Sequence, residues 1–285
     1  MFTSVMARLR RIRHEIAETR TLVGDMRVQL AETRQLAGDV RVTQVGALYT
    51  LQPSVGPEDY GPAFRGNRQA VAWAYLKGSG IEVGALHQPL AVPPGAHVRY
   101  VDRMSAADLR THYPELADLP LVDADVVDDG QTLTTFADRS VDFVIANHFL
   151  EHCPDPIRTI GNLCRVTRPG GVIYMAVPDM RYTFDRDRPC TPMEHFVADH
   201  EKGPEISRRG HFEEVVQVVE QKAGQEAVDR VEDMLAMDYS IHYHTFTHHS
   251  LLEFVTAVQK RYGMNFEIDF AMRNGMESIL VLRVQ

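Results

Sequence analysis

The stretch GIEVGALHQPL, residues 80–90, opens the part of the chain whose apolar pattern decides the fold. A short apolar run carrying Glu82 reaches Gly84 and breaks into a turn, as a strand does when it delivers a ligand-binding loop. The glycine ladder G-x-G-x-x-G of a dinucleotide site is absent, so the turn has no signature of a pyrophosphate cradle. What it holds must be read from the segments that follow.

From Ile81 the apolar segments IEVG, HVRYVD, LVDADVV, VDFVIAN and GVIYMAVP alternate with helical patterns, the clearest being DPIRTIGNLCRVT, which ends at the turn RPGG. Such alternation predicts an α/β domain with a parallel sheet covered on both faces. FEIDFAM and ESILVLRV flank Asn274-Gly275 and predict a terminal antiparallel hairpin. Ligands of open α/β sheets bind beyond the carboxyl ends of the strands. In order, these ends carry Glu82, Gly84 and Ala85, then Asp102 with Arg103 beside it, then Asp128-Asp129, then Asn147-His148. A carboxylate at the second strand end can accept both hydrogen bonds of a ribose diol.

The runs DGQTLTTFADRSVDFVIANHFLEHCPDP (129–156) and CRVTRPGGVIYMAVPD (164–179) resemble the second half of a class I S-adenosylmethionine-dependent methyltransferase. The resemblance covers residues 80–180 and the terminal hairpin, and implies a Rossmann-like methyltransferase sheet with S-adenosyl-L-methionine as cofactor. That cofactor has no pyrophosphate, so one glycine suffices. By resemblance Gly84 and Ala85 let backbone approach its methionine part, and Glu82 orients the turn. Asp102, with Arg103, holds the ribose, and Asp129 the adenine edge, with Asp128 as competitor. Asn147 and His148 flank the sulfonium. The chain departs from the family's E-x-G-x-G at Leu86, which stands where the next glycine falls.

A hydroxyl acceptor needs a base near neutral pH, and histidine is suited to that task. His148 and His152 are the expected candidates by position. An insertion over residues 180–250 carries Arg181, Tyr182, Asp185, Glu194 and His195, and later His244. Forked donors, carboxylates and aromatic faces together suit a polyhydroxylated acceptor. The HYHTFTHH run has no H-E-x-x-H spacing, which disfavours structural zinc. A magnesium ion held by Glu151 and substrate oxygens is the metal alternative that the resemblance brings. YTFDRDRP and ANHFLEH are similar to segments of methyltransferases in glycan and polysaccharide pathways, including those that O-methylate mannose-containing polysaccharides. The expected activity is O-methylation of a sugar or oligosaccharide hydroxyl with a histidine base. The alternatives are methylation of a non-sugar small molecule, or a coiled-coil scaffold whose domain only binds the cofactor. An NAD-dependent enzyme is disfavoured by the missing glycine ladder and by the PGG turn.

Ahead of this domain, IAETRTLVGDMRVQ is followed at once by LAETRQLAGDVRVT, a repeat of two heptads. Its seam, which includes Leu9, Ile16, Val23 and Leu30, predicts a coiled-coil helix over residues 1–44 that pairs copies of the chain. The competing expectation is a single helix folded back on the domain. Residues 45–79 read as a linker followed by a helix, FRGNRQAVAWAYLKG, buried through Val71, Trp73, Ala74 and Leu76. The methyltransferase domain is expected over 80–285. A formal net charge of −9 argues against a broad nucleic-acid surface. Three widely spaced cysteines signal neither a disulfide framework nor a zinc ribbon. There is no apolar run long enough to span a membrane and no secretory h-region, so the cytoplasm is the expected location.

Overall fold

In the computed structural model, residues 62–285 are described. The expected coiled-coil helix at 1–44 and the linker up to residue 61 lie outside them. Seven strands form one sheet: β1 (Ser79–Val83), β2 (His97–Asp102), β3 (Val126–Val127), β4 (Val141–Asn147), β5 (Thr167–Pro178), β6 (Phe266–Asn274) and β7 (Glu277–Val284). Their order is β3-β2-β1-β4-β5-β7-β6. The first five run parallel, while β7 is antiparallel to both β5 and β6. The chain therefore winds outward from β1 to β3, returns, and winds the other way from β4. The switch point lies between β1 and β4, where a doubly wound sheet opens its ligand crevice.

Both faces of the sheet are covered. On one, α3 (Pro156–Val166) and α7 (His248–Tyr262) bury Ile160, Leu163, Phe254 and Val258 against Val144 and Ile173. Asp155 caps α3 by accepting from Arg158 N at 2.9 Å, with Pro156 at the first helical position. On the other face, α1 (Pro62–Tyr75) packs Val71 and Ala72 against Phe143, Tyr174 and Val281. Ala72, not Ala74, is the buried alanine of this helix, because Ala74 turns to solvent. The helix is thus part of the sheet's body rather than a lead-in to it.

Three local expectations differ from the fold. LVDADVV yields only a two-residue strand, since Tyr100 N donates to the Asp125 carboxylate at 2.8 Å, a side chain standing in for a ladder partner. The RPGG segment belongs to β5 as an irregularity: Val141 pairs with Thr167, and the next pair is Phe143 with Val172. Gly170 there adopts φ 79°, and a Cβ on Gly171 would lie 2.6 Å from the Asp142 carbonyl. The hairpin loop is Gly275-Met276, since Asn274 pairs with Glu277 as the last ladder pair.

The insertion contains α4 (Met193–Lys202), α5 (Glu205–Glu214), a π-helical turn at Val215–Val219 and α6 (Gly224–Ala236). It has a small core of its own, built on Phe212, Val216, Val231 and Met234. α2 (Ala106–His112), capped by Ser105, follows β2. No helix among the described residues is long and apolar enough to cross a membrane.

Candidate active site

The carboxyl ends of β1, β2 and β4 surround a cavity of about 310 Å³. Gly84 and Leu86 line it from the first loop, Asp102 and Arg103 from the second, and Asp129, Gly130 and Gln131 from the third. His148, Phe149 and His152 close it after β4. Its outer wall is Tyr113, Glu115 and Leu116 together with Tyr239 and Ser240 from the far end of the insertion. Tyr239 donates to Glu115 at 2.8 Å and Arg103 donates to Asp238 at 3.1 Å, so these contacts draw the insertion over the rim.

The opening turn is held from inside. Both oxygens of Glu82 lie 3.1 Å from Leu90 N, and burial pushes the carboxyl up to about 7. Glu82 therefore spans the loop it begins, and neither it nor Ala85 lines the cavity. Gly84 sits at φ 65° and Leu86 at φ 49°. Leucine thus holds a left-handed conformation that costs a non-glycine residue roughly 1–2 kcal/mol. The Leu86 carbonyl, accepting from Val122 N at 2.7 Å, fixes the turn in place.

The paired acids after β3 divide. Asp128 accepts from Thr135 N at 2.8 Å and from the Thr134 and Thr135 hydroxyls, which hold its carboxyl below the usual range despite burial. It is committed to its own loop. Asp129, with Oδ1 accepting from Gln131 N at 2.8 Å, faces the cavity. Asp102 also faces it, accepting from Met104 N at 3.3 Å, and burial raises its carboxyl. Arg165 on α3 steadies this loop by donating to the carbonyls of Thr132, Leu133 and Phe136.

Gly130 has a role that the sequence reading missed, although a glycine directly after Asp-Asp at a strand end was the available signal. A Cβ there would stand 2.2 Å from Val83 Cγ1 and 2.8 Å from Phe149 Cζ. Gly130→Ala is expected to destabilise the domain by roughly 1–3 kcal/mol through overpacking. Urea unfolding measures this, and an unchanged midpoint would mean that the loop yields freely.

His148 follows the last residue of β4 with φ 48°, an uncommon conformation for a side chain other than Asn, Asp or Gly. Its N–H donates to Ala176 O at 2.7 Å, which ties it to β5. Its Nε2 lies 2.8 Å from Glu277 Oε2. Glu277 is fully buried, accepts from Arg68 Nε at 2.8 Å and Asn274 Nδ2 at 2.8 Å, and is held down to about 2 by Arg68 and His148. An ionised carboxylate only accepts, so the proton of the imidazole resides on Nε2 and the lone pair on Nδ1. Glu277 was invisible as a partner in the sequence, lying more than a hundred residues from His148. The Asn147 amide is buried with no hydrogen-bond partner among the described residues, and it does not line the cavity.

His152 is a different histidine. Its Nδ1 lies 2.9 Å from the Ile241 carbonyl, and burial with His242 nearby pushes it down to about 3. Both Glu151 oxygens are buried without a hydrogen-bond partner, and burial raises the carboxyl to about 7. Glu151, His152 and His242 form a group of metal-ligating type. Two imidazoles beside one buried carboxylate do not fit the oxygen-rich, hydrated shell that magnesium takes, so no step is drawn through such an ion.

None of the six residues expected to hold the acceptor lines the cavity. Arg181 pairs with Asp179 at 2.6 Å, and Tyr182 accepts from Arg273 at 2.9 Å. Asp185 is buried between Arg188 at 2.7 Å and His242 at 2.6 Å. Glu194 points to solvent, while His195 and His244 gather around Asp199. These side chains are engaged with neighbours inside and outside the insertion, or turned to solvent, rather than with the cavity, which their composition alone could not reveal.

Residues 78–175 match the profile of a family described as a methyltransferase domain. The matched segment is similar to a methyltransferase domain and includes β1 to β4 and most of β5. A probable S-adenosylmethionine-dependent methyltransferase of Mycolicibacterium smegmatis is 34% identical over 100 residues, 32% of this chain and 33% of that protein. The match therefore spans about a third of the relative's length. Among solved structures, an S-adenosylmethionine-dependent methyltransferase of Methanosarcina mazei is 17% identical with a TM-score of 0.40, covering 74% of this chain and 95% of its own. Another, from Aquifex aeolicus, is 11% identical with a TM-score of 0.38, covering 73% and 82%.

Proposed function

We propose that the protein is an S-adenosylmethionine-dependent O-methyltransferase acting on a hydroxyl of a polar small molecule, a sugar or oligosaccharide being the favoured class. The observation that carries the reading is His148 on the cavity wall, held in a left-handed conformation with its Nε2 2.8 Å from the buried Glu277 carboxylate behind it. A strained residue aimed into a cleft and braced by a buried carboxylate has the form of a general base with its orienting group.

The cofactor supplies an electrophilic methyl group on sulfur. Asp102 is assigned to the ribose hydroxyls and Asp129 to the adenine edge, since both are open to the cavity. Val83, Leu109 and Phe149 supply the apolar faces that a purine and a thioether need. His148 Nδ1 would take the proton of the acceptor hydroxyl during transfer of the methyl group that the bound cofactor would supply. Glu277 then faces the imidazolium and stabilises it. Tyr113, Glu115, Gln131, Tyr239 and Ser240 line the outer wall and offer the donors and acceptors for a polyhydroxylated acceptor.

The cofactor assignment predicts that Asp102→Ala weakens S-adenosylmethionine binding by roughly 2–4 kcal/mol, through loss of two charge-assisted hydrogen bonds. Calorimetry measures it, and unchanged affinity would move the ribose site elsewhere. For the acceptor, a methyl-release assay on sugars, phenols and thiols decides: turnover confined to thiols would rule out the hydroxyl reading.

A further inference from the structure

Four side chains in the insertion converge away from the proposed methyl-transfer cavity. His195 and Asp199 lie one turn apart on α4, His211 lies on α5, and His244 lies in the segment before α7. Their ligating atoms all fall within 4.8 Å of one another. His195 Nε2 is 3.0 Å from His211 Nε2 and 3.2 Å from Asp199 Oδ2. His211 Nε2 and His244 Nε2 are 3.9 and 3.7 Å from that same oxygen. Four donors bound tetrahedrally at zinc distances of 2.0–2.1 Å are separated by about 3.3 Å along each edge. The observed separations bracket that spacing.

Hydrogen bonding among the four leaves the cluster unfinished. Asp199 Oδ2 is buried and is met only by His195 at ion-pair distance, with His211 and His244 at 3.9 and 3.7 Å, beyond hydrogen-bond reach. Asp199 and His244 are each 0% exposed. A buried carboxylate oxygen met by a single contact is under-satisfied, and a cation at the centre of the four would complete its shell. The other Asp199 oxygen accepts from Ser207 at 2.5 Å, which turns Oδ2 toward the imidazoles in the way an outer partner orients a metal ligand. His244 Nε2 also lies 3.3 Å from the Pro154 carbonyl. His195 is partly open to solvent, giving an ion a way in.

We infer that His195, Asp199, His211 and His244 form a structural zinc site that pins the helical insertion to the segment leading back into the sheet. Three imidazoles and one carboxylate oxygen are a donor set suited to zinc and not to magnesium or calcium. Four protein donors close the coordination shell, which marks the ion as structural, without an open position for chemistry. The H-x-x-x-D spacing on α4 places both side chains on one helix face, a ligand pattern that a search for H-E-x-x-H overlooks.

Elemental analysis of untagged, chelator-washed protein tests the site. The expected result is one tightly held zinc per chain, together with a tetrahedral visible spectrum after cobalt(II) replaces it. Combining His211→Ala with Asp199→Asn should remove the metal, and Ser207→Ala, which keeps all four ligands, should weaken zinc binding by roughly 10–100-fold. Stripping zinc from the wild type should lower the midpoint of thermal unfolding, and zinc should restore it. Protein that holds no zinc and whose midpoint ignores added zinc overturns the inference. So does zinc that survives His211→Ala/Asp199→Asn but is lost on Glu151→Gln, for the ion would then lie in the other cluster. Because the site lies outside the cavity, cofactor binding and methyl transfer are not part of this test.

Discussion

His148→Ala should lower methyl-transfer turnover by about 10²–10⁴-fold, the usual contribution of a positioned general base. Cofactor affinity should change little, because the residues assigned to ribose and adenine belong to other loops. The acidic limb of the pH–rate profile, where a general base gains a proton and turnover falls, should vanish with the imidazole. His148→Asn separates base from backbone: asparagine tolerates the left-handed φ of 48° but cannot take the proton. Near-normal turnover in the alanine variant would mean that positioning alone carries the reaction, and the base assignment would fall.

Glu277→Leu should destabilise the fold by roughly 3–5 kcal/mol, because it leaves the buried Arg68 guanidinium without its counter-charge. His148 and Asn274 lose their acceptor in the same step. Chemical unfolding measures the loss. Glu277→Gln, a milder change, tests the positioning role through the pH profile of turnover. The sign of the pH dependence follows from the carboxyl lying at about 2 in the folded protein against an ordinary 4.5. Its contribution is full above 4.5 and fades as the pH falls through 2, amounting to about 3 kcal/mol at most. Glu82 and Glu151, both raised to about 7, act in the opposite sense and lose stability as the pH rises towards 7. The pH dependence assigned to Glu277 is therefore read from the difference between wild type and Glu277→Gln. A difference that does not shrink between pH 4.5 and 2 would place the anchoring charge elsewhere.

Much of the sheet was legible, and for a definite reason. VDFVIAN and ESILVLRV are strands with the bounds read from their apolar runs, because central strands buried on both faces are largely apolar, while HVRYVD keeps its bounds with only Val101 buried. LVDADVV misled because Asp125 serves the ladder with its side chain, which period counting does not see. At the cavity, the acidic strand ends were readable because topology alone puts strand ends there. Asp102 and Asp129 were read from the sequence, with Asp128 as competitor; that Asp128 is held by Thr134 and Thr135 was not visible there. His148 was found from its position, but Glu277 was not, because their meeting depends on β7 lying beside β5. The insertion was least legible. Arg181, Asp185, His195 and His244 have the composition of a sugar site, yet each is spent on a neighbour that only the packing of α4, α5 and the returning segment brings close.

The place of β7 also orders the birth of the site. β7 lies between β5 and β6, so β6, though made first, has no neighbour in the sheet until β7 enters. Glu277 is the first residue of that late strand. A chain emerging from the ribosome can thus assemble the acidic strand ends and the left-handed turn at Gly84 before it owns the anchor for His148. The partner of the proposed base arrives only with the closing hairpin, and a truncated chain is left with the acidic strand ends but without the His148–Glu277 pair.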